Sequence, residues 1–314
     1  MNKPSIKLLP NEICTNYKLQ PNEKLLSIKT PESNSFDQGI VGIFTPSLKN
    51  SKGKFALILH GRGGHKNYIY QNELAQHLSK LGISNFRFDF RGCGDSQNNI
   101  DESLGRTIEQ DIKDLEIITE AFTIEGKFHS EIGFINYSLD LIVGHSRGSI
   151  AMFKYILNTK LTPLLINCSS RFDSIKILNL YQNEENYRLI QYRFGKYQIL
   201  QTLKNEIINL SIQDLTKLTK LNQSIKILSI YGEFDNIVPI EDSIKFCEIF
   251  GSNRHELKII PNSDHNFTGI NNFKELNSDQ LKEFNDLKLT IKNEKINYNR
   301  KVIYEIISWL KSYI

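Results

Sequence analysis

Apolar residues along the chain fall into short runs separated by turn-forming residues. Continuous apolar runs of roughly four to eight residues are the mark of strands buried on both faces. They predict strands near 24–30, 39–45, 55–60, 85–90, 139–145, 163–169, 225–231 and 256–260. Between them, apolar positions recur at helical spacing near 67–82, 106–123, 149–158, 241–250 and 299–312. Strands alternating with helices predict an α/β fold with a mainly parallel, doubly wound sheet of eight strands. The first two strands have no helix between them and are predicted to be antiparallel. No internal repeat is visible.

Two stretches break the alternation. No strand pattern is visible between Ser169 and Ser224, and Asn186–Gln201 within it is rich in Tyr and Leu. Residues 170–224 therefore read as a helical cap inserted after the sixth strand, above the carboxyl edge of the sheet. The stretch 271–297 is polar and rich in Lys, Glu and Asn. It predicts a solvated helix and loop without chemistry. Residues 1–314 thus read as one α/β domain carrying one insertion.

The chemistry starts at Gly144-His145-Ser146-Arg147-Gly148, directly after a predicted strand and directly before a predicted helix. A serine between two glycines at such a turn is the nucleophile elbow. The serine backbone is strained there, and the glycines let strand and helix approach without Cβ clashes. A serine hydroxyl needs an adjacent base, and the base needs an orienting acid. In this architecture they follow in the order serine, acid, histidine.

Asp235 follows the strand that ends at Gly232, and His265 follows the strand that ends near Pro261. Both lie past the carboxyl ends of strands, where sites form in open α/β sheets. Glu233 is a competing acid, and Asp235 is also placed to cap the helix after Pro239. Asp264 adjoins the histidine in sequence, where a carboxylate usually points elsewhere. Of seven histidines, His60, His65 and His145 flank motif positions, and His77, His129 and His255 read as surface residues.

The strand 55–60 ends in Gly61-Arg62-Gly63-Gly64, a turn whose backbone N–H groups can face a cavity. The oxyanion donors expected are the N–H groups of Arg62 and Arg147. The rival reading, a phosphate cradle, lacks both G-x-x-x-x-G-K-[ST] and a G-x-G-x-x-G opening a helix. Asp89 and Arg91, in Phe86-Arg87-Phe88-Asp89-Phe90-Arg91-Gly92-Cys93-Gly94-Asp95-Ser96, read as local structural partners.

Together these segments resemble the α/β-hydrolase family, in particular its serine-aminopeptidase-like, monoacylglycerol-lipase-like and feruloyl-esterase-like branch. The motifs that carry the resemblance run from Phe55 to Phe267 and include Gly232-Glu233-Phe234-Asp235-Asn236-Ile237-Val238-Pro239 and Asp264-His265. The resemblance implies a serine hydrolase with Ser146 as nucleophile, His265 as base and Asp235 as its acid. A cap at this position lines the substrate pocket in the resembling enzymes, which makes Tyr187, Tyr192, Phe194 and Tyr197 candidate substrate-binding residues. The alternative for each is to glue the cap to the core. The chain departs from the family at Cys93, where His or Asn is common, and at Arg62, where an aromatic or small residue is common.

Composition changes this picture little. Of 314 residues, 39% are hydrophobic and 24% charged, and the net charge is +4. These values fit a soluble globular chain, and no basic block or aromatic-basic stripe asks for nucleic acid. Met1 to Pro10 has no signal-peptide pattern, and no apolar run is long enough to span a bilayer. Four cysteines, Cys14, Cys93, Cys168 and Cys247, lack metal or disulfide spacing. Cys168 and Cys247 read as small buried hydrophobes, and Cys93 as a packed thiol or a reactive one near the site. A cytoplasmic location fits.

The expected activity is cleavage of small or medium carboxylic esters through an acyl-enzyme on Ser146, with no metal or organic cofactor. The partner is then a small-molecule ester. A peptidase, a thioesterase or an acyltransferase uses the same chemistry, and a non-catalytic ligand-binding protein of this fold is the alternative of another class. Two guanidinium groups, Arg62 and Arg147, either favour an anionic ester or form structural salt bridges.

Overall fold

A computed structural model describes residues 5–14, 17–33, 39–49, 53–99, 105–123, 128–129, 132–134, 137–175, 177–178, 189–191, 197–211 and 224–314. Among the described residues, nine strands form the main sheet: β1 (Ile6–Leu8), β2 (Lys24–Ile28), β3 (Ile40–Thr45), β4 (Lys54–Leu59), β5 (Ser84–Phe88), β6 (Ser138–His145), β7 (Leu164–Cys168), β8 (Ile227–Gly232) and β9 (His255–Ile260). Their order across the sheet is β1-β2-β3-β5-β4-β6-β7-β8-β9. From β5 to β9 all neighbours are parallel. The pairs β1–β2 and β2–β3 are antiparallel, as expected for strands joined without a crossover helix, and β3 also runs antiparallel to its other neighbour, β5.

Each central strand alternates between two cores. In β4, Phe55, Leu57 and Leu59 face one core and Ala56 and Ile58 the other. The first core is closed by α2 (Ile108–Thr123), α3 (Arg147–Leu157) and α5 (Ile240–Phe250), through residues such as Phe122, Phe153 and Phe246. The second is closed by α1 (Gln71–Leu81) and α7 (Asn299–Leu310), through Leu74, Leu78, Val302 and Ile306. The burial of both sheet faces explains why these strands read as unbroken apolar runs.

Four expectations need correction. The sheet has nine strands rather than eight, because Ile6–Leu8 pairs with β2, Ile6 opposite Ile28. With three residues and one buried side chain, that strand is too short to carry a periodic signal. The insertion is not wholly helical: strands Leu189–Gln191 and Tyr197–Ile199 form a hairpin that leads into α4 (Leu200–Leu210). Residues 271–297 hold more than a helix and loop. Helix α6 (Ser278–Asp286) is exposed and closed by an Asn277–Gln280 capping box. It lies between strands of a small antiparallel sheet, Thr268–Asn272, Thr290–Lys292 and Lys295–Asn297. Finally, His255 is a buried residue of β9, with Nε2 2.7 Å from Ser229 Oγ. Among the described residues, no helix is long and apolar enough to cross a membrane.

Candidate active site

Parallel strands β4, β6, β8 and β9 end on one edge, and each delivers one part of the site there. Ser146 follows β6 at φ 53° and ψ −120°. That conformation is rare for a residue with a Cβ and costs on the order of 1–3 kcal/mol. It is held from both sides: Ser146 N–H donates to Cys168 O at 2.7 Å, and Ser146 O accepts from Ser149 N–H at 3.0 Å.

The two flanking glycines are required by close approach. A Cβ on Gly144 would lie 2.5 Å from Ser149 Cα, and one on Gly148 would lie 2.7 Å from Leu59 O and 2.8 Å from His60 O. Strand, helix α3 and the end of β4 therefore meet at distances that only glycine permits. On its other side Ser146 meets Gly61, whose Cβ, if present, would stand 3.1 Å from Ser146 Cβ. The elbow and the glycine turn after β4 are thus in direct contact.

Asp235 and His265 are brought together, 30 residues apart in sequence: Asp235 Oδ2 lies 2.7 Å from His265 Nδ1. The acid's side chain is fully buried. Its other oxygen, Oδ1, accepts from the N–H groups of Ile237 at 2.9 Å and Val238 at 2.8 Å. Asp235 therefore caps its own loop while it holds the imidazole. The ring of His265 is 5.3 Å from that of His145, the residue before Ser146. With Nδ1 committed to Asp235, Nε2 is the nitrogen left for proton transfer. Burial, with His265 next in effect, keeps His145 well below the ordinary histidine pKa and hence neutral.

The competing acids are engaged elsewhere. Exposed Glu233 accepts from Asn262 N–H at 2.8 Å. Asp264 accepts from the N–H groups of Asn266 at 2.9 Å and Thr268 at 2.8 Å, which shapes the histidine loop.

The glycine turn after β4 is fastened from below. His60 is fully buried, with Nδ1 2.8 Å from Gly61 O and Nε2 accepting from Phe90 N–H at 3.1 Å. This bonding requires the neutral Nδ1–H form, and burial lowers the His60 pKa well below its ordinary value. Asp89 binds the far end of the turn: it accepts from Lys66 N–H and Lys66 Nζ, each at 2.6 Å. Lys66 Nζ also pairs with Asp95. Burial opposes the Lys66 charge, but the two aspartates outweigh it and its pKa is raised. Arg91 is fully buried against Asp114 at 2.5 Å. Asp89 and Arg91 are thus structural partners, as their sequence context suggested.

Arg62 is exposed on the turn. Arg147 is buried, and its side chain turns away from the serine: Nε donates to Asp111 at 2.9 Å and Nη2 pairs with Glu206 at 2.8 Å. Burial opposes its charge, but Asp111 and Glu206 outweigh it and raise its pKa. Its backbone N–H, at the first position of α3, has no helical carbonyl to bond. Burial likewise raises the Cys93 thiol and makes it a poor nucleophile. Cys168 is buried as expected, whereas Cys247 is only partly so.

Tyr187, Tyr192 and Phe194 lie outside the described residues, and Tyr197 opens the second hairpin strand without a described side chain. Sequence reasoning missed Lys66, Arg106, Asp111 and Glu206. Their buried pairing is invisible in a one-dimensional pattern, where Asp111 and Glu206 look like ordinary helix charges.

No family model matches the chain. It is similar to the uncharacterized protein YDL057W of Saccharomyces cerevisiae, 32% identical over 320 residues that cover 94% of each protein. Among solved structures it is similar in fold to Est1E from Butyrivibrio proteoclasticus, with TM-score 0.60, 13% identity and coverage of 87% of this chain and 94% of that one. A structure of Est1E with ferulic acid bound matches at TM-score 0.58 and 16% identity, covering 73% of this chain and 89% of the other. The monoacylglycerol lipase of Paleococcus ferrophilus matches at TM-score 0.57 and 13% identity, covering 88% and 99%. The sheet order, the elbow and the solved structures agree on an α/β-hydrolase fold, and the near-full-length match to the yeast protein places the chain in one family with YDL057W.

Proposed function

We propose that the protein is a serine hydrolase that cleaves carboxylic esters of small or medium size. The observation that carries the reading is the strained Ser146 elbow on the same sheet edge as the 2.7 Å Asp235–His265 pair. Strain of this kind persists only where the surroundings enforce it, and it clusters at working sites.

Ser146 Oγ attacks the ester carbonyl carbon while His265 Nε2 takes the hydroxyl proton. Asp235 keeps the remaining ring proton on Nδ1 and stabilises the imidazolium that forms. The N–H groups of Arg62 and Arg147 stabilise the oxyanion. The tetrahedral intermediate collapses, His265 gives its proton to the departing alkoxide, and an acyl-enzyme is left on Ser146. Water, activated by His265, adds to the acyl carbon and releases the acid.

Residues 170–224 act as the cap that limits substrate size, and α4 within it is tied to the elbow through the Glu206–Arg147 pair. The similarity in fold to a monoacylglycerol lipase supports an ester as the bond cleaved. The scattered spacing of the four cysteines supports a cytoplasmic site of action.

The test is steady-state turnover of p-nitrophenyl esters from acetate to laurate by wild type and Ser146→Ala. Turnover that depends on Ser146, with an optimum at short or medium chains, is expected. Equal rates in the two proteins would remove the reading.

A further inference from the structure

Three buried charges at the site have no part in the chemistry above: Arg106, Asp111 and the Arg147 side chain. Arg106 stands just ahead of α2, with its side chain one-tenth exposed. Its Nε donates to Asp111 Oδ1 at 2.7 Å, and its Nη1 donates to the carbonyl oxygen of Gly61 at 3.1 Å. The guanidinium carbon lies 4.1 Å from the centre of the Phe90 ring. The planar fork is therefore fixed in position, with one arm on a carboxylate and the other on a peptide.

That peptide is the one that carries the Arg62 N–H. A trans peptide is planar, so its N–H points opposite to its C=O. The bond is trans here. Gly61 O accepts from Arg106 Nη1, from His60 Nδ1 at 2.8 Å and from Gly64 N–H at 3.3 Å. Fixing the carbonyl on one side fixes the direction of the Arg62 N–H on the other.

The same carboxylate holds the second donor residue. Asp111 Oδ2 accepts from Arg147 Nε at 2.9 Å, and Arg147 Nη2 donates back to Arg106 O at 3.1 Å. The glycine turn and the elbow belong to different strands, and this side-chain triad braces one against the other. Buried charge-assisted bonds suit that task because they are short and directional.

We infer that Arg106 is a positioning residue for the oxyanion hole, and that Asp111 couples its two donors by gripping both arginines. The inference rests on the reading of the Arg62 and Arg147 N–H groups as those donors. A donor must point at the oxyanion before charge develops, and loss of one costs about 10²- to 10³-fold in kcat. A donor that is present but mis-aimed forfeits part of that. A lysine at 106 supplies charge without the planar fork and cannot reproduce both bonds in the same geometry.

The experiment compares kcat and KM for p-nitrophenyl butyrate in wild type, Arg106→Gln and Arg106→Lys, each well below its unfolding temperature. Ser146→Ala and Arg300→Gln serve as controls; Arg300 makes a partly exposed pair with Glu73 at 2.9 Å, away from the site. Expected is a fall in kcat of at least fivefold in whichever Arg106 variants fold, with KM within threefold of wild type, and no change in Arg300→Gln. A purely structural role lowers the unfolding temperature and leaves kcat of the folded protein intact. A folded Arg106 variant with kcat within fivefold of wild type, or a loss confined to KM, overturns the positioning role while Ser146→Ala stays inactive. Absence of Ser146-dependent turnover in wild type overturns the hydrolase reading itself.

Discussion

Replacing Asp235 by Asn separates its proposed role as the orienting acid from what it does for its loop. The carboxylate makes three hydrogen bonds: Oδ2 to His265 Nδ1 at 2.7 Å, and Oδ1 to the N–H groups of Ile237 and Val238. Asn has one oxygen. Two backbone donors compete for it against one ring nitrogen, so the oxygen stays on the loop and the NH2 group faces His265. An NH2 group there donates to Nδ1 and drives the imidazole proton to Nε2, the nitrogen that must act as base. In catalytic triads the wrong tautomer lowers kcat by about 10⁴-fold, equivalent to ~5 kcal/mol. Stability falls little, by about 1 kcal/mol, because the loop keeps both backbone bonds.

Asp235→Ala removes all three bonds and strands two N–H groups, so it costs ~2–4 kcal/mol in stability for a similar loss of activity. The assay pairs ester turnover with urea unfolding of wild type and both variants. Retention of more than a tenth of wild-type kcat in a folded Asp235→Asn would refute the assignment of Asp235 as the orienting acid. Equal stability losses in the two variants would refute its role as loop cap.

Three further outcomes follow from the buried groups. Burial pushes His255 down to about 4 from its ordinary 6.5, so between those values the unfolded chain binds a proton that the folded one refuses. Its contribution is complete above pH 6.5 and is lost as pH falls toward 4, at a cost of ~3 kcal/mol. Urea midpoints at pH 7.5 and 4.5 should therefore differ less in His255→Gln than in wild type, and an unchanged difference contradicts the account. Gly148→Ala places a Cβ against Leu59 O and His60 O, at 2.7 and 2.8 Å. It should destabilise the fold by about 1–3 kcal/mol and cut turnover tenfold or more, whereas full activity would mean that the elbow tolerates displacement of α3. Glu23→Ala strands the fully buried Arg87, which Glu23 pairs at 2.9 Å. Denaturant unfolding should show a loss of about 3–5 kcal/mol, and a loss under 1 kcal/mol would rule out a strong buried pair.

The sheet was legible because its strands are buried on both faces. Phe55–Leu59 and Leu139–Val143 carry apolar side chains on both sides and stand out as runs. Ser146 and Asp235 were legible because each follows such a run at its carboxyl end, His265 because it follows the short strand β9 in the order the elbow calls for, and the elbow glycines are fixed by steric need. What escaped had no such signal. Among the described residues, Ile6–Leu8 pairs with β2 alone, and Leu189–Gln191 and Tyr197–Ile199 pair only with each other. His255 looked like a surface histidine because edge strand β9 alternates irregularly between buried and exposed positions. Arg106, Asp111 and Glu206 look like solvated charges in sequence, and only the meeting of α2, α3 and α4 buries them together.

The central claim is that Ser146 is a covalent nucleophile, and a fluorophosphonate tests it without knowledge of the substrate. Wild type and Ser146→Ala are incubated with the probe and read by intact mass and peptide mapping. The account predicts one adduct per wild-type chain, on the peptide that contains Ser146, and none on the alanine variant. A folded wild-type chain that stays unlabelled, or an adduct that persists in Ser146→Ala, would contradict it.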